Sequence, residues 1–242
     1  MQVRIRCSEL GRFMTDSRKK GELSETCKTL MVEKYLYNKY KYRELITTEP
    51  MRKGIELEAE AIDIWQQYIN DGQVRINSAG RGYAFGFNSV NDQTLGLNDK
   101  SYSFKNDFLF GTPDIITTDA VEDIKVSQKL TTFVTAELTT AYWWQLMGYM
   151  WLTGRTKARL IYVMMPDPEW MQDAQINRLR FQVHADDLQR YEEQILHNAD
   201  IATQMPIDKR CRFFEFEFDQ SIICRISDRY REAMEFYDTL KF

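Results

Sequence analysis

The chain has 242 residues, of which 43% are hydrophobic, 13% aromatic and 28% charged, and its net charge is −4. That balance excludes an intrinsically disordered chain and a wholly basic nucleic-acid binder, and the length suits one large domain or one core with a smaller appendage. The opening MQVRIRCSELGRF is too polar for a secretory signal, and no apolar run approaches the roughly 18–20 residues of a membrane span. A cytoplasmic protein with no membrane partner is expected.

Residues 1–53 hold 13 Lys/Arg against 7 Asp/Glu, while the remainder holds 19 against 29. A basic N-terminal part beside an acidic body suits a protein that holds phosphates with one face and cations with another. In chain order, residues 8–20 read as a short helix ending before Gly21. Ser24 is placed to cap a long helix from Glu25 to about Tyr42. Its later half, residues 35–43, interleaves aromatics with bases. Two readings stay open there. Tyrosines stack on nucleic-acid bases while Lys39, Lys41 and Arg43 hold phosphates, or an amphipathic helix packs its tyrosines inward. After Pro50 a helix is expected from about Met51 to Asn70, with Ile55, Ala59, Ile62 and Trp65 on its apolar face.

Residues 71–104 are rich in Gly, Asn, Asp and Ser and read as turns with short strands at QVRI and YAFGF. DFLFGTPDIITTDAVEDIKVS reads as two strands joined by a turn around Thr117–Ala120. A helix follows from Thr139 to Thr153; its apolar stretch suits burial, and Tyr142-Trp143-Trp144 reads as core rather than as a stacking platform. Then come a strand ARLIYVMMP closed by Pro166, a strand NRLRFQVH, and a helix Asp186–Met205. An alternating strand RFFEFEF and a last helix Asp228–Leu240 complete the chain. The order predicts an α/β fold with a central mixed β-sheet flanked by helices.

The chemistry concentrates in Gly111-Thr112-Pro113-Asp114, followed after eight residues by Asp123-Ile124-Lys125. Residues two apart on a strand share a face, so Asp123 and Lys125 point the same way. Asp114, on the preceding strand, can bring its carboxylate beside that of Asp123. Two such carboxylates repel unless a cation lies between them. Mg²⁺ or Mn²⁺ suits the pair, because these ions take one or two carboxylates and keep waters for a substrate to displace. A neighbouring lysine can orient or deprotonate such a water. Asp-x-Lys alone is common in surface ion pairs; the upstream Gly-Thr-Pro-Asp is what lifts this one above that reading. Glu122 competes with Asp123, but the spacing to Lys125 favours Asp123.

This pattern resembles the PD-(D/E)XK nuclease superfamily, with Pro113-Asp114 and Asp123-Ile124-Lys125 as its halves. Two further elements narrow the resemblance to phage exonucleases of the lambda-exonuclease and YqaJ kind. One is Gly54-Ile-Glu-Leu-Glu58, similar to their GxxLE element. The other is Gln145-Leu-Met-Gly-Tyr149, similar to their QxxxY helix. The resemblance covers residues 50–165 well and the rest loosely.

It implies a restriction-endonuclease-like fold and a Mg²⁺- or Mn²⁺-dependent deoxyribonuclease. Glu58 and the Ile124 carbonyl would join Asp114 and Asp123 on the metal, and Gln145 and Tyr149 would belong to the site. Glu56 and Glu60 compete with Glu58 for that place. Arg6, Ser8 and Thr112 are candidates for a terminal phosphate, although the family's phosphate pocket does not align cleanly. Implied partners are duplex DNA ends, a single-strand annealing protein and further copies of the chain. Residues 1–242 then form a single nuclease domain, with a basic helical part over 1–53, the catalytic core over about 54–165, and C-terminal strands and helices over 166–242.

The alternatives are a structure-specific or restriction-type endonuclease, and a catalytically silent DNA-binding protein on the same fold. The QxxxY element argues against the first, and the intact acids and lysine against the second. Neither His184 nor His197 sits in a metal-ligand pattern, and no nucleotide phosphate loop or nucleophile elbow is present. Cys7, Cys27, Cys211 and Cys224 form no CxxC pair. They read as unconnected reduced thiols, with an iron–sulfur nuclease as the alternative.

Overall fold

The computed structural model describes residues 3–70, 103–127 and 129–240. The expected strands QVRI and YAFGF lie outside the described residues. Two small sheets meet at the Gly111–Asp114 linker. In one, β1 (Ile5–Arg6) runs parallel to β3 (Leu109–Gly111), and β2 (Phe104–Lys105) pairs antiparallel on the other side of β3. The other is mixed, in the order β4 (Ile115–Ile116), β5 (Ala120–Ser127), β6 (Lys157–Met164), β7 (Cys211–Glu217). Only β5 and β6 are parallel in that sheet, and parallel neighbours need a crossover. The short α4 (Leu130–Val134), unheralded in the sequence, and α5 (Thr140–Thr153) supply it.

Helices cover both faces of the mixed sheet, as the α/β expectation requires. On one side α5 packs over Val121 and Leu160, together with Leu10, Leu30 and Ile226 from the terminal helices. On the other side α3 (Glu49–Asn70) lays Leu57, Ala61, Ile62 and Trp65 against Ile124 and Ile161. Of the four residues expected on the apolar face of α3, Ile62 and Trp65 are buried and Ile55 and Ala59 are not. Ile55 is 67% exposed and Ala59 is exposed. The true stripe is Lys53, Leu57, Ala61, Trp65 and Ile69, one residue every four, with a lysine at its head.

Several local expectations hold. The Ser24 hydroxyl accepts from the Cys27 amide at 3.1 Å and opens α2 (Glu25–Tyr40), which Lys41 closes in a left-handed conformation at φ 57°. Thr139 caps α5 in the same way, and Gly154 ends it at φ 69°. Others are corrected. The helix expected over 8–20 is only a 3₁₀ turn, Cys7–Glu9, and α1 (Leu10–Phe13). The Thr15 hydroxyl bonds back to the Gly11 carbonyl and Ser17 Oγ accepts from the Lys19 amide, local bonds that compete with continued helix. NRLRFQVH is not a strand. It is the end of α6 (Glu169–Leu179) and a turn, with Phe181 left 91% exposed. The period-2 pattern there spans too few residues to outweigh the helix begun at Pro168. Helix α7 (Ala185–Gln204) packs against α6, and α8 (Ile207–Arg210) precedes β7. Helix α9 (Ser221–Thr239) begins seven residues earlier than expected, because Ile222 and Ile226 already belong to its buried face.

One polar row crosses the mixed sheet, buried at Glu122 and Arg159 and exposed at Glu215. Glu122, Arg159 and Glu215 stand side by side on β5, β6 and β7. Arg159 donates to Glu122 at 2.6 Å and to Glu215 at 2.7 Å, and the Trp65 indole donates to the other Glu122 oxygen at 2.8 Å. Glu122, with none of its surface exposed, is thus consumed by structure. Asp123 faces the opposite side of the sheet.

Candidate active site

The site is built by a hairpin register. β4 and β5 pair Ile115 with Glu122 and Ile116 with Val121, closed by a turn in which the Thr117 amide donates to the Ala120 carbonyl at 2.8 Å. One step further along that register, Asp114 falls opposite Asp123. Facing residues of an antiparallel pair share a side of the sheet with Cβ atoms about 5 Å apart. The eight-residue gap between the two acidic motifs is therefore the length of a tight hairpin. Asp114 Oδ2 accepts from the Ile124 amide at 2.8 Å, which fixes its carboxyl against β5. The Ile124 side chain turns away into the core under α3.

Asp123 is only 1% exposed. Its Oδ1 accepts from Gln145 Nε2 at 2.8 Å, and that amide also donates to the Tyr149 hydroxyl at 3.2 Å. Gln145 and Tyr149, one helical turn apart on α5, act as one buried unit behind the acid. Asp123 Oδ2 meets the Lys125 ammonium as an ion pair but with no well-directed hydrogen bond. Lys125 Nζ also lies 5.0 Å from the centroid of the Tyr142 ring. Tyr142 thus roofs the lysine, while its neighbour Trp144 is core, as expected.

Close packing against the linker depends on two glycines. A Cβ on Gly111 would meet Tyr149 Cε1 at 2.6 Å, and one on Gly148 would meet Leu10 Cδ1 at 2.6 Å. Cys7 Sγ would lie within about 3 Å of either added atom. The N-terminal segment is thereby pressed between the linker and α5. The other cysteines do not join Cys7. Cys27 is buried on the same side of the sheet, Cys211 on the other, and Cys224 is exposed. They do not converge on a cluster.

The electrostatics of the pair favour the approach of a cation. Burial, and then the charge of Asp123, pushes the Asp114 carboxyl up to about 8. Asp123 is raised by burial and by Glu58, against the opposing pull of Lys125. Burial would lower the Lys125 ammonium, but the two aspartates outweigh it and hold it above its ordinary value. A buried carboxyl pair that one lysine does not neutralise is the environment in which a divalent cation lowers the free energy. Among the described residues no three His, Cys, Asp or Glu side chains converge closely enough to cage a cation alone. The pair with open coordination suits an ion that retains waters, and not a closed structural site.

Of the three competing glutamates, Glu58 is half-buried and its charge is felt at both aspartates. Glu56 is exposed and accepts from the Trp170 indole at 2.7 Å, and Glu60 is exposed.

The structure also places the other candidates. The β1–β3 register sets Arg6 beside Phe110, two residues before Thr112, with Ser8 exposed just beyond. The Arg6 guanidinium lies 5.5 Å from the Phe110 centroid, and Lys34 of α2, ion-paired with Glu9, lies 5.7 Å from the same ring. Lys34 and Phe110 escaped the sequence reading, because only a pairing between residues 5 and 109 brings them together. Lys39, Lys41 and Arg43 lie elsewhere, at the exposed end of α2 and beyond it. The inward-packing reading of that tract holds only in part. Tyr35 packs edge-on against Tyr237, whereas Tyr37, Tyr40 and Tyr42 are half exposed, with Lys39 beside the Tyr40 ring and Lys41 beside Tyr37.

No family model matches the sequence, and no curated protein matches it. Solved structures do. A phage-related exonuclease from Haemophilus somnus 129PT superposes with a TM-score of 0.70 at 20% identity, over 98% of this chain and 95% of that one. An alkaline exonuclease from Laribacter hongkongensis gives a TM-score of 0.58 at 14% identity, over 97% of this chain and 88% of the other. The same protein in complex with dAMP gives 0.54 at 15% identity, with the same coverage. The chain has the fold of these exonucleases across nearly its whole length, in line with the α/β nuclease fold expected from its motifs.

Proposed function

We propose that the chain is a divalent-metal-dependent DNA exonuclease that degrades linear duplex DNA from its ends, in phage-type recombination or repair. The observation that carries this reading is the buried Asp114–Asp123 pair set by the hairpin register, with Lys125 on the same edge. The exonuclease fold of the neighbours supports it. Asp114 and Asp123 would hold Mg²⁺ or Mn²⁺, with the Ile124 carbonyl as a further candidate ligand and Glu58 adding its charge from α3. The bound cation supplies Lewis-acid polarisation of the scissile phosphate and acidifies the attacking water. Lys125, kept charged by the two aspartates, would orient the attacking water and donate to the negative charge developing on the phosphoryl oxygens. Gln145 and Tyr149 hold Asp123 in its rotamer.

Arg6, Ser8 and Thr112, with Lys34 beside them, hold the terminal 5′-phosphate and so fix the register of each cut. The partners are duplex ends and a single-strand annealing protein that takes the product strand. The chain works in the cytoplasm as a closed homo-oligomer, because a protein of net charge −4 without a motor keeps its grip through successive cuts by encircling the strand. Among the described residues no helix is long and apolar enough to cross a membrane.

The test is digestion of end-labelled linear DNA beside covalently closed DNA of the same sequence. Mg²⁺ or Mn²⁺ should support loss of the linear form only, Ca²⁺ should support binding better than cutting, and EDTA should stop the reaction. Full cleavage in EDTA would remove the metal, and equal attack on closed circles would favour the endonuclease alternative.

A second expectation concerns the basic N-terminal part. Neutralising Lys39, Lys41 and Arg43 together, or Arg18, Lys19 and Lys20, should weaken DNA binding. Each lost phosphate contact should flatten the salt dependence of affinity by about 0.9 in the log–log slope. Unchanged slopes in both triple variants would put the DNA on another face.

A further inference from the structure

Lys53 has none of its surface exposed, yet it heads the apolar stripe of α3. Its ammonium donates to the Met165 carbonyl at 2.8 Å, to the Ser127 carbonyl at 3.2 Å and to Asp167 Oδ1 at 2.7 Å. Ser127 ends β5, two residues past Lys125, and Met165 directly follows β6. One side chain thus ties α3 to the ends of both parallel strands.

The surrounding contacts run the same way. The Arg52 guanidinium stacks on Trp170 at 3.9 Å from its centroid, the Trp170 indole donates to Glu56, and Arg178 pairs with Glu49. All of them fasten the N-terminal half of α3 to the segment just after β6. A fully desolvated ammonium is costly to bury, and a leucine or methionine would fill the same stripe without that cost. Apolar packing, however, sets the docking of a helix by shape alone, without directed bonds. The Lys53 ammonium adds three of them from one nitrogen.

What this fixes is the height of Glu58, five residues further along α3, or about 7.5 Å of helix rise. Among the described residues, Glu58 is an acid outside the hairpin whose charge reaches both aspartates, so its placement depends on how α3 is docked.

We propose that Lys53 is a positioning residue of the metal site: it locks α3 in register on the ends of β5 and β6, so that the charge of Glu58 stays within reach of the Asp114–Asp123 pair and adds to its affinity for a divalent cation. The inference rests on the reading of that pair as a metal site. It predicts that removing Lys53 acts through Glu58.

The test is Mn²⁺ binding to the full chain by titration calorimetry, without DNA. Lys53→Met should weaken Mn²⁺ binding about tenfold or more, the range for groups that orient metal ligands. Asp167→Asn, which keeps the ammonium and its two carbonyl bonds, should shift affinity the same way by less, and it carries the test if Lys53→Met does not fold. In a Glu58→Gln background, Lys53→Met should cause no further loss, since contacts acting through one group are not additive. A purely structural lysine would instead lower the number of binding-competent molecules and leave their affinity unchanged. Wild-type affinity in both Lys53→Met and Asp167→Asn, or the same fold loss with Glu58→Gln as without it, would overturn the proposal. Wild-type Mn²⁺ affinity in Asp123→Asn would overturn the functional reading itself, and the two failures are read from different variants.

Discussion

Asp114→Asn should lose DNA cleavage by at least about 10²-fold while keeping the fold, and in metal-free buffer it should be no less stable than the wild type. The argument is one of competing costs. The asparagine carbonyl can still accept from the Ile124 amide, so the bond that docks this residue on β5 survives. What disappears is a negative charge that burial and Asp123 already disfavour. Active sites often carry such a penalty, and neutralising it commonly trades activity for stability. Mn²⁺ should raise the melting temperature of the wild type and leave that of Asp114→Asn nearly unmoved, because only the native wild-type chain binds it well.

Lys125→Met should lower the rate by about 10²–10⁴-fold, through loss of the group that orients water and opposes negative charge on the phosphoryl oxygens. Glu58→Ala and Gln145→Ala, which act at the edge of the pair and behind it, should give smaller but clear defects. Cleavage at the wild-type rate by either Asp114→Asn or Lys125→Met would end the motif assignment.

The acidic motifs could be read in the sequence because their geometry is local. Strand alternation puts Asp123 and Lys125 on one face, and a turn at Thr117–Ala120 sets Asp114 opposite Asp123, so spacing alone carries the information. What separates Glu56 from Glu58 is not local: Glu56 accepts from the indole of Trp170, more than a hundred residues away, a contact that no short-range pattern announces. The rim formed by Arg6, Phe110 and Lys34 depends on a parallel pairing between the first strand and the third, for which no short-range pattern exists. The face of α3 was misjudged for a different reason. A hydrophobic count discards a lysine, yet Lys53 heads the buried stripe, and discarding it rotates the apparent apolar face towards Ile55. At NRLRFQVH the letters alternate, but among the described residues no strand pairs with them.

The largest loss of stability should come from a residue with no part in the chemistry. Arg159 is 1% exposed and neutralises Glu122, which has no exposure at all. Arg159→Met keeps much of the aliphatic volume but leaves Glu122 with the Trp65 indole as its remaining donor among the contacts described above. Breaking a buried pair from one side typically costs about 3–5 kcal/mol, because the surviving charge stays desolvated. For a chain of this length that corresponds to a fall of roughly 6–20 °C in melting temperature. The sign of the pH dependence separates this cause from lost packing. Burial already holds the Glu122 carboxyl above its ordinary value even with Arg159 present, and removing the arginine raises it further. A carboxyl whose folded value is raised stabilises the fold when protonated, and that contribution drains away as pH climbs from the ordinary carboxylate range through the raised value. The deficit of Arg159→Met should therefore be small in acid and widen towards neutral pH. Adding Glu122→Gln should recover most of it, since the neutral amide still accepts from Trp65 and carries no charge. Thermal melts of the single and double variants from pH 4 to pH 8 give the answer. A deficit that is flat with pH, or one that Glu122→Gln fails to relieve, would mean that the arginine matters for its packing and not for the charge it faces.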